Sequence, residues 1–227
     1  MPTRESRRLR VVVAGGHGKV ALHLTRYLAE RGHDVVGLVR NPAHVPDIEA
    51  AGGNGVVIDL EHAETADVAE VLKDADAVVF SAGAGPGSTA ERKYTVDRDG
   101  AILLTAAASE AGVRRFIQVS TQGAGAPAPG GSTPVWAAYL DAKTQAEDDL
   151  RKSDLDWTIL RPGQFTDAPG TGRVTLAGDR VTRGTVPRAD VAAVVAELVL
   201  SGGAVGRTLA LTSGQVPIPT AVAATGA

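Results

Sequence analysis

The chain contains no cysteine in its 227 residues. Disulfide scaffolds, thiolate zinc sites and cysteine nucleophiles are therefore excluded. The histidines are scattered, and none is spaced from another histidine or from a carboxylate as metal ligands usually are, so we expect no metal site. These histidines are His17, His23, His33, His44 and His62.

The charge balance and the short apolar runs exclude further classes of protein. With 23 basic and 26 acidic residues the net charge is -3, so neither nucleic acid nor an anionic membrane is expected as a partner. The apolar runs fall far short of the roughly 18 residues that a membrane-spanning helix needs. No apolar stretch of the signal-peptide type follows the N-terminal arginines. We therefore expect a cytoplasmic protein that acts on a small molecule.

Short β-rich runs alternate with helical stretches along most of the chain. Strands are predicted at 9–14, 35–39, 55–60, 76–81, 114–120 and 156–160, with less regular ones at 173–177 and 208–211. Helices are predicted around 20–28, after 41–42, at 65–73, between the loop 82–88 and residue 111, at 136–151 and at 188–200. This order predicts one α/β domain over 1–227, a doubly wound parallel sheet with a small C-terminal cap on the same domain.

A glycine-rich turn joins the first predicted strand to the first predicted helix. It reads GGHGKVA over 15–21, and its glycines let a phosphate approach the backbone N–H groups at the start of the helix. Alone, the pattern would fit an ordinary strand-to-helix turn, but its place at the head of a regular βα alternation favours dinucleotide binding. The residues expected to bind the cofactor here are Gly15, His17, Gly18, Lys19 and Val20.

The residue at the end of the second predicted strand indicates which cofactor is bound. Arg40 stands there, at the place where an NAD-binding protein would carry a carboxylate for the ribose 2′-hydroxyl. A guanidinium suits the 2′-phosphate of NADP(H) instead. The alternative is a surface arginine at a strand end. We predict NADP(H) as the cofactor.

The ends of the third and fourth predicted strands supply further candidate contacts. Asp59 and Leu60 would lie beside the adenine, although Asp59 is explained almost as well as a cap of the following helix. Ser81, Ala82 and Gly83 are small enough for the ribose and nicotinamide to pass close to the chain. A flexible loop is the alternative for this second group.

These segments together resemble the atypical short-chain dehydrogenase/reductases, in particular the NAD(P)H-binding proteins related to NmrA-like regulators and to biliverdin-B/flavin reductases. The likeness covers nearly the whole chain and implies a Rossmann fold. Besides the turn at 15–18, the segments that carry it are VRNP at 39–42, IDL at 58–60, SAG at 81–83, DRDGA at 97–101, GVRRF at 112–116, YLDAK at 139–143, TILRPG at 158–163 and RADVA at 188–192.

The resemblance implies a catalytic role for Tyr139 and Lys143, which lie four residues apart and so on one face of a helix. In active members the tyrosine exchanges a proton with the substrate oxygen, while the lysine holds the nicotinamide ribose and favours the tyrosinate. A packed tyrosine beside a solvated lysine is the alternative. A hydroxyl just after the fifth strand usually completes the set; Ser120 is expected there, but Thr121 or Gln122 could occupy the place instead.

The resemblance also implies that Pro162 lines the nicotinamide side. Two acidic features are expected to have structural rather than catalytic roles. Glu147, Asp148 and Asp149 are expected to form a solvated helix face, and Asp190 is expected to begin a helix.

The sequence leaves three functions open. The leading one is a small NADPH-dependent oxidoreductase that reduces a carbonyl, quinone or flavin acceptor. The second is a non-catalytic NADP(H) redox-sensing regulator that acts through a protein partner. The third is a sugar-nucleotide epimerase or dehydratase, which is disfavoured because 227 residues leave little room for a substrate domain. A monomer and a homodimer both remain open.

Overall fold

The structure, a computed structural model, describes residues 7–178 and 182–226. Its strands are β1 (Arg10–Ala14), β2 (Asp34–Val39), β3 (Asn54–Val57), β4 (Ala77–Phe80), β5 (Arg115–Val119), β6 (Asp156–Pro162), β7 (Gln164–Thr166), β8 (Arg173–Ala177), β9 (Thr185–Pro187), β10 (Arg207–Ser213) and β11 (Val216–Pro217). Its α-helices are α1 (Lys19–Ala29), α2 (Val45–Ala50), α3 (Thr65–Leu72), α4 (Ala90–Arg92), α5 (Gly100–Glu110), α6 (Pro134–Leu150), α7 (Arg188–Ser201) and α8 (Ile218–Ala223). A 3-10 turn, Pro42–His44, precedes α2, and a π-helical segment, Lys93–Asp99, joins α4 to α5.

The central sheet has the strand order β11-β8-β10-β6-β5-β4-β1-β2-β3. From β3 to β10 all neighbouring strands are parallel, whereas β8 runs antiparallel to both β10 and β11. The predicted doubly wound parallel sheet is thus confirmed. Strand order reverses between β1 and β4, so their carboxyl ends open onto the crevice where sheets of this kind bind ligands.

Two apolar layers cover the sheet. Helices α1, α7 and α8 pack on one face, and α3, α5 and α6 pack on the other. Side chains of β1 alternate between them, with Val11 and Val13 in the first layer and Val12 and Ala14 in the second. A strand that is buried on both faces reads as a continuous apolar run, which is why this one could be predicted.

Two predicted elements differ from the structure. The third strand ends at Val57, before the predicted end, because Asp59 turns the chain: its carbonyl accepts from the backbone N–H groups of His62 and Ala63. The long helix expected after the loop 82–88 is instead α4, the π-helical segment and α5. The change of helix type alters which side chains face the cleft.

The C-terminal third extends the same sheet, as the predicted cap on the same domain implies. Strand β10 adds to β6 in parallel, β8 and β11 add beyond it, and β7 pairs with β9 in a separate two-stranded sheet. Strands β7, β9 and β11 and helix α8 were not predicted. Elements of two to six residues are too short to show a periodic pattern.

Candidate functional site

The turn after β1 is packed so closely that side chains are excluded from it. A Cβ on Gly15, whose φ is +76°, would lie 2.6 Å from the Cα of Ala82 in the loop after β4, and a Cβ on Gly16 would lie 2.6 Å from the Cα of Gly37 in β2. Gly18 is the N-cap of α1 and offers no side-chain cap, so the first N–H groups of the helix are available to a ligand. The turn therefore presents an anion-binding helix start at the switch point of the sheet.

Side chains beside this turn are held by carboxylates. The Nε2 of His17 lies 2.7 Å from Oδ2 of Asp47, and the Nζ of Lys19 donates to Oδ2 of Asp167 at 2.7 Å. The hydrogen bond from Lys19 holds the pKa of Asp167 below its ordinary value. The side chain of Val20 is buried in the core, which leaves only its backbone to face a ligand.

Arg40 lies at the end of β2 as predicted, in a cluster that the sequence did not reveal. Its NH1 donates to Oε2 of Glu61 at 3.2 Å, and its side chain is 56% exposed. Glu61 also accepts from Arg92 at 2.5 Å and from Thr95 at 2.6 Å. The Arg92 hydrogen bond holds the pKa of Glu61 below its ordinary value against the opposing effect of burial. Among the described residues the side chain of Arg40 makes this one hydrogen bond to Glu61, so most of its N–H donors stay available to a ligand.

Asp59 and Leu60 lie in the loop after β3. Oδ1 of Asp59 accepts from the backbone N–H of Glu61 at 3.1 Å, and Oδ2 lies 3.1 Å from Nδ1 of His62. The carboxylate thus shapes its own turn and does not cap α3, whose N-cap is Glu64. Leu60 is partly buried against the second apolar layer.

A buried carboxylate holds the loop formed by Ser81, Ala82 and Gly83 after β4. Asp97, which is 1% exposed, accepts from the backbone N–H of Ala84 at 3.0 Å. A Cβ on Gly83 would lie 2.8 Å from Oδ1 of Asp97. Asp97 belongs to the π-helical segment, and such segments occur frequently at functional sites.

Helix α6 begins at Pro134, two residues before its predicted start, and the sequence explains why. Thr133 is the N-cap, and its hydroxyl accepts from the backbone N–H of Trp136 at 3.2 Å. Proline is favoured directly after such a cap. This start directs Tyr139 and Lys143 toward the cleft one and two turns later.

Lys143 is buried at the carboxyl ends of β4 and β5. Its Nζ lies 3.2 Å from Oδ1 of Asp97, and the two side chains are 3% and 1% exposed. The same Nζ donates to the carbonyls of Ala82 at 3.4 Å and Val119 at 3.5 Å. It lies 5.9 Å from the ring centroid of Tyr139. Lys143 therefore ties α6 to the loop after β4, and its charge is balanced by Asp97.

A second lysine, which the sequence did not reveal, also flanks Tyr139. The Nζ of Lys93 lies 5.4 Å from the tyrosine ring centroid and donates to the carbonyl of Gly85 at 2.8 Å. Lys93 is 8% exposed, and Trp136 packs at 5.3 Å from the tyrosine ring. Tyr139 thus lies within cation–π distance of two ammonium groups.

Ser120 follows β5 as predicted, and its hydroxyl is already engaged. It is 4% exposed and donates to Oε1 of Glu147 at 2.6 Å. Glu147 also accepts from Arg161 at 3.0 Å and from Arg151 at 2.7 Å. The expectation that Glu147 lies on a solvated face is wrong, because this residue is 0% exposed whereas the side chain of Asp148 is 56% exposed. Glu147 stands one turn after Lys143, on the same buried face of α6.

Asp190 lies near the start of a helix as expected, whereas the predicted role of Pro162 beside the nicotinamide stays a prediction. Pro162 ends β6, and its carbonyl accepts from the backbone N–H of Gln122 at 2.9 Å. Asp190 lies in the first turn of α7 and accepts from the backbone N–H groups of Thr171 and Gly172, each at 2.9 Å. Its carboxylate therefore anchors a loop.

Two kinds of feature are absent from the described ranges 7–178 and 182–226. No group of three or more histidine, aspartate or glutamate side chains there is arranged to hold a metal ion. No helix of this part of the chain is long and apolar enough to cross a membrane.

The residues at the switch point fit a nicotinamide dinucleotide. The open start of α1 suits the pyrophosphate, the small side chains of the loop after β4 leave the chain accessible near Lys143, and the free donors of Arg40 lie at the end of β2. Fold and site together define a dinucleotide-binding protein of the Rossmann class.

Comparison with known proteins agrees with this class. Residues 15–201 match the family model described as NAD(P)H-binding, and the chain therefore belongs to this NAD(P)H-binding family. Among curated proteins, an uncharacterized sugar epimerase of Bacillus subtilis is 33% identical over 94% of this chain and 99% of that protein.

Solved structures extend the likeness. A protein of Bacillus halodurans described as a NAD-dependent epimerase/dehydratase is 36% identical, with a TM-score of 0.85 over 95% of this chain and 99% of that one. ChuY, an anaerobilin reductase of Escherichia coli O157:H7, is 25% identical, with a TM-score of 0.75 over 91% of this chain and 98% of that one. The resemblance to the atypical short-chain dehydrogenase/reductases is thereby confirmed, and a nicotinamide cofactor follows from the family.

Proposed function

We propose that this protein is an NADPH-dependent reductase of a small carbonyl, quinone or flavin acceptor. The observation that carries the proposal is the position of Tyr139, which lies beside the carboxyl ends of β4 and β5 with Lys143 and Lys93 at 5.9 Å and 5.4 Å from its ring centroid. A phenol that gives up a proton needs nearby positive charge. The reductase name of one structural relative supports the same reaction class.

The chemistry assigned to each residue follows from its place. The bound nicotinamide supplies the two electrons and the hydrogen that reach the acceptor carbon. Tyr139 gives its hydroxyl proton to the acceptor oxygen, so that C=O becomes CH–OH, and water later returns a proton to the tyrosine. Lys143, held by Asp97, fixes α6 against the loop after β4, while the ammonium of Lys93 balances the charge left on the tyrosine oxygen.

The preference for NADPH rests on Arg40. Glu61 takes only one hydrogen bond from Arg40, at 3.2 Å, because Arg92 and Thr95 satisfy the rest of that carboxylate. The exposed guanidinium can therefore bind the 2′-phosphate, and a charge-assisted contact of this kind adds about 1.5–3 kcal/mol.

Turnover is tested with NADPH and a panel of aldehydes, quinones and flavins, by following the loss of reduced-nicotinamide absorbance. Tyr139→Phe is expected to keep NADPH affinity within about twofold and to lose kcat by about a hundredfold or more, as loss of a general acid does. Tyr27→Phe in α1, a half-buried tyrosine that packs against the first apolar layer beneath the guanidinium of Arg31, is the matched control and should keep full activity. If NADPH binds but no acceptor is reduced, the non-catalytic sensor becomes the better description.

The cofactor preference has a separate test. Arg40→Ala is expected to weaken NADP⁺ binding about tenfold to a hundredfold, by the arithmetic of one lost charge-assisted contact. NAD⁺ has no 2′-phosphate, so its affinity serves as the internal control and should change little. Equal weakening of both cofactors would disprove the proposed role of Arg40.

A sugar-nucleotide epimerase or dehydratase is the second candidate, favoured by the 36% identity to the Bacillus halodurans structure that carries this name. Epimerisation returns the hydride to the sugar, so the cofactor is not consumed. Incubation with NAD(P)⁺ and UDP-glucose or dTDP-glucose distinguishes it from the reductase. Product that forms without net change in reduced nicotinamide would favour the epimerase.

A further inference from the structure

The hydroxyl of Ser120, expected to polarise the acceptor, already donates a hydrogen bond to Glu147. Ser120 is 4% exposed, and its single O–H donates to Oε1 of Glu147 at 2.6 Å. A hydroxyl has one hydrogen to donate, so Ser120 cannot donate to a substrate without leaving a buried carboxylate. The hydroxyl of the next residue, Thr121, lies 3.5 Å from the backbone carbonyl of Gln122, at the limit of a hydrogen bond.

The side-chain amide of Gln122 has a donor without a hydrogen-bond partner among the described residues. Its Nε2 is buried and makes no hydrogen bond within the described part of the chain, although an amide nitrogen carries two hydrogens. Burying such a group without a partner costs about 1–3 kcal/mol. In native proteins an unpaired buried polar group often has a functional explanation.

The backbone of Gln122 is fixed just beyond the carboxyl end of β5. Its N–H donates to the carbonyl of Pro162 at 2.9 Å, which extends the β5–β6 pairing beyond the carboxyl end of the sheet. The next residue, Gly123, is packed against α6: a Cβ there would lie 3.3 Å from a Cδ atom of Leu140, the neighbour of Tyr139. Gln122 therefore lies between the carboxyl ends of β5 and β6 and next to a residue that packs against α6, the helix that carries Tyr139.

A second glutamine also has a buried side-chain amide without a partner among the described residues, but this residue lies inside the sheet. Gln118 lies within β5, in register with Phe80 and Ile159 of the neighbouring strands, and is 0% exposed. Both of its amide atoms are unpaired among the described residues. Because Gln118 lies inside the sheet and not beyond its edge, no substrate reaches it, and it serves as the matched control.

We infer that Gln122 is a catalytic residue of the proposed reductase and donates its amide N–H to the acceptor oxygen, the role that the resemblance assigns to a serine or threonine. This inference rests on the proposed function. As the two electrons and the hydrogen arrive at the acceptor carbon, the oxygen gains negative charge, the Gln122 amide stabilises that charge, and Tyr139 delivers the proton. Ser120 instead positions Glu147 and, through it, Arg161.

The first test compares two variants. Gln122→Leu is expected to lower kcat about a hundredfold to a thousandfold, as loss of one donor to a developing oxyanion does, with NADPH affinity kept within about twofold. Gln118→Leu should keep kcat and be at least as stable as the wild type, because it removes a buried unpaired amide. Gln122→Glu should also lose kcat, since a carboxylate cannot donate. Equal kcat in Gln122→Leu and the wild type would overturn the inference.

The second test needs no turnover. Isobutyramide has a carbonyl that accepts a hydrogen bond but is not reduced, and its binding to the NADPH complex is followed by nicotinamide fluorescence. Gln122→Leu should weaken its binding about tenfold, and Gln118→Leu should not. Binding that is absent in the wild type, or unchanged in Gln122→Leu, overturns the inference.

The two tests separate the inference from the proposed function. If Tyr139→Phe abolishes turnover while Gln122→Leu does not, the reductase stands and the role of Gln122 is wrong. If no acceptor is reduced but isobutyramide binding depends on Gln122, the carbonyl site stands and the reductase proposal fails.

Discussion

At the turn after β1 neighbouring segments pack backbone against backbone, whereas around α6 neighbouring segments are joined by buried charged side chains. Gly16 approaches Gly37 so closely that a Cβ would lie 2.6 Å from the opposing Cα, and no charged side chain takes part in that contact. On the other side of the cleft, Asp97 and Lys143 form an ion pair in which both side chains are at most 3% exposed. One side of the site depends on shape, and the other depends on charge compensation.

This difference suits what each side has to do. The turn must let a pyrophosphate reach backbone N–H groups, and any side chain there would stand in the way. In the proposed reductase, the α6 side holds ionisable groups in a fixed geometry next to the reacting atom, and a buried ion pair fixes geometry at the cost of desolvation. Substitutions on the two sides should therefore affect stability and cofactor binding to different extents.

The largest effect is expected on the charged side. Asp97→Ala leaves Lys143 buried without its partner, and breaking a buried pair in this way costs about 3–5 kcal/mol. Asp99→Ala, two residues later, removes only an exposed partner of Arg98 and should cost about 1 kcal/mol or less. Urea unfolding of both variants measures the two costs, and equal costs would contradict the importance of burial here.

A smaller effect is expected on the side built from glycine. Gly16→Ala places a methyl group 2.6 Å from the Cα of Gly37, and forced packing of this kind costs about 1–3 kcal/mol. Because the turn must shift, NADPH affinity should fall as well. Gly130→Ala, where nothing lies within 4 Å of the added Cβ, is the control for both the unfolding free energy and cofactor titration. If Gly16→Ala and Gly130→Ala had the same free energy of unfolding and the same NADPH affinity, the contact between Gly16 and Gly37 would tolerate an added methyl group.

The glycine side could be predicted from the sequence because its information is local. The apolar run of β1, the glycines that follow and the helical spacing after them all lie within one stretch of chain, so the pattern alone predicts strand, turn and helix. Arg40 follows directly after the next strand and was found by the same reasoning. The spacing of Tyr139 and Lys143 was likewise readable because both lie on one helix.

The charged side could be predicted only in part because its partners are distant in sequence. No local pattern indicates that Asp97 pairs with Lys143, and the π-helical turn that brings Lys93 and Asp97 to the cleft has no sequence signature. Glu147 was misread because two further acids follow it, a pattern typical of a solvated face. Its burial depends on Arg161, a residue of a different element.

The smallest effect is expected away from the cleft, at His33, which directly precedes β2 at the amino-terminal ends of β1 and β2. His33 is 7% exposed, its Nδ1 accepts from the backbone N–H of Leu9 at 3.2 Å, and burial, followed by the charge of Arg31, lowers its pKa from 6.5. The folded state therefore keeps this imidazole neutral at a pH where the unfolded chain already binds a proton. Its contribution to stability is full above 6.5 and is lost as the pH falls from there through the lower pKa of the folded state.

His33→Asn keeps an acceptor for Leu9 and removes the titration. Urea unfolding at about pH 7.5 and about pH 5.5 should show that the wild type loses more stability between these values than the variant does, because only the wild type pays for protonation in the unfolded state. His62→Asn, whose side chain is 81% exposed, is the control and should retain the wild-type dependence. If His33→Asn and the wild type lost equal stability between the two pH values, the lowered pKa of His33 would be contradicted, and the expected effects of buried ionisable groups on stability would be confined to the α6 side of the cleft.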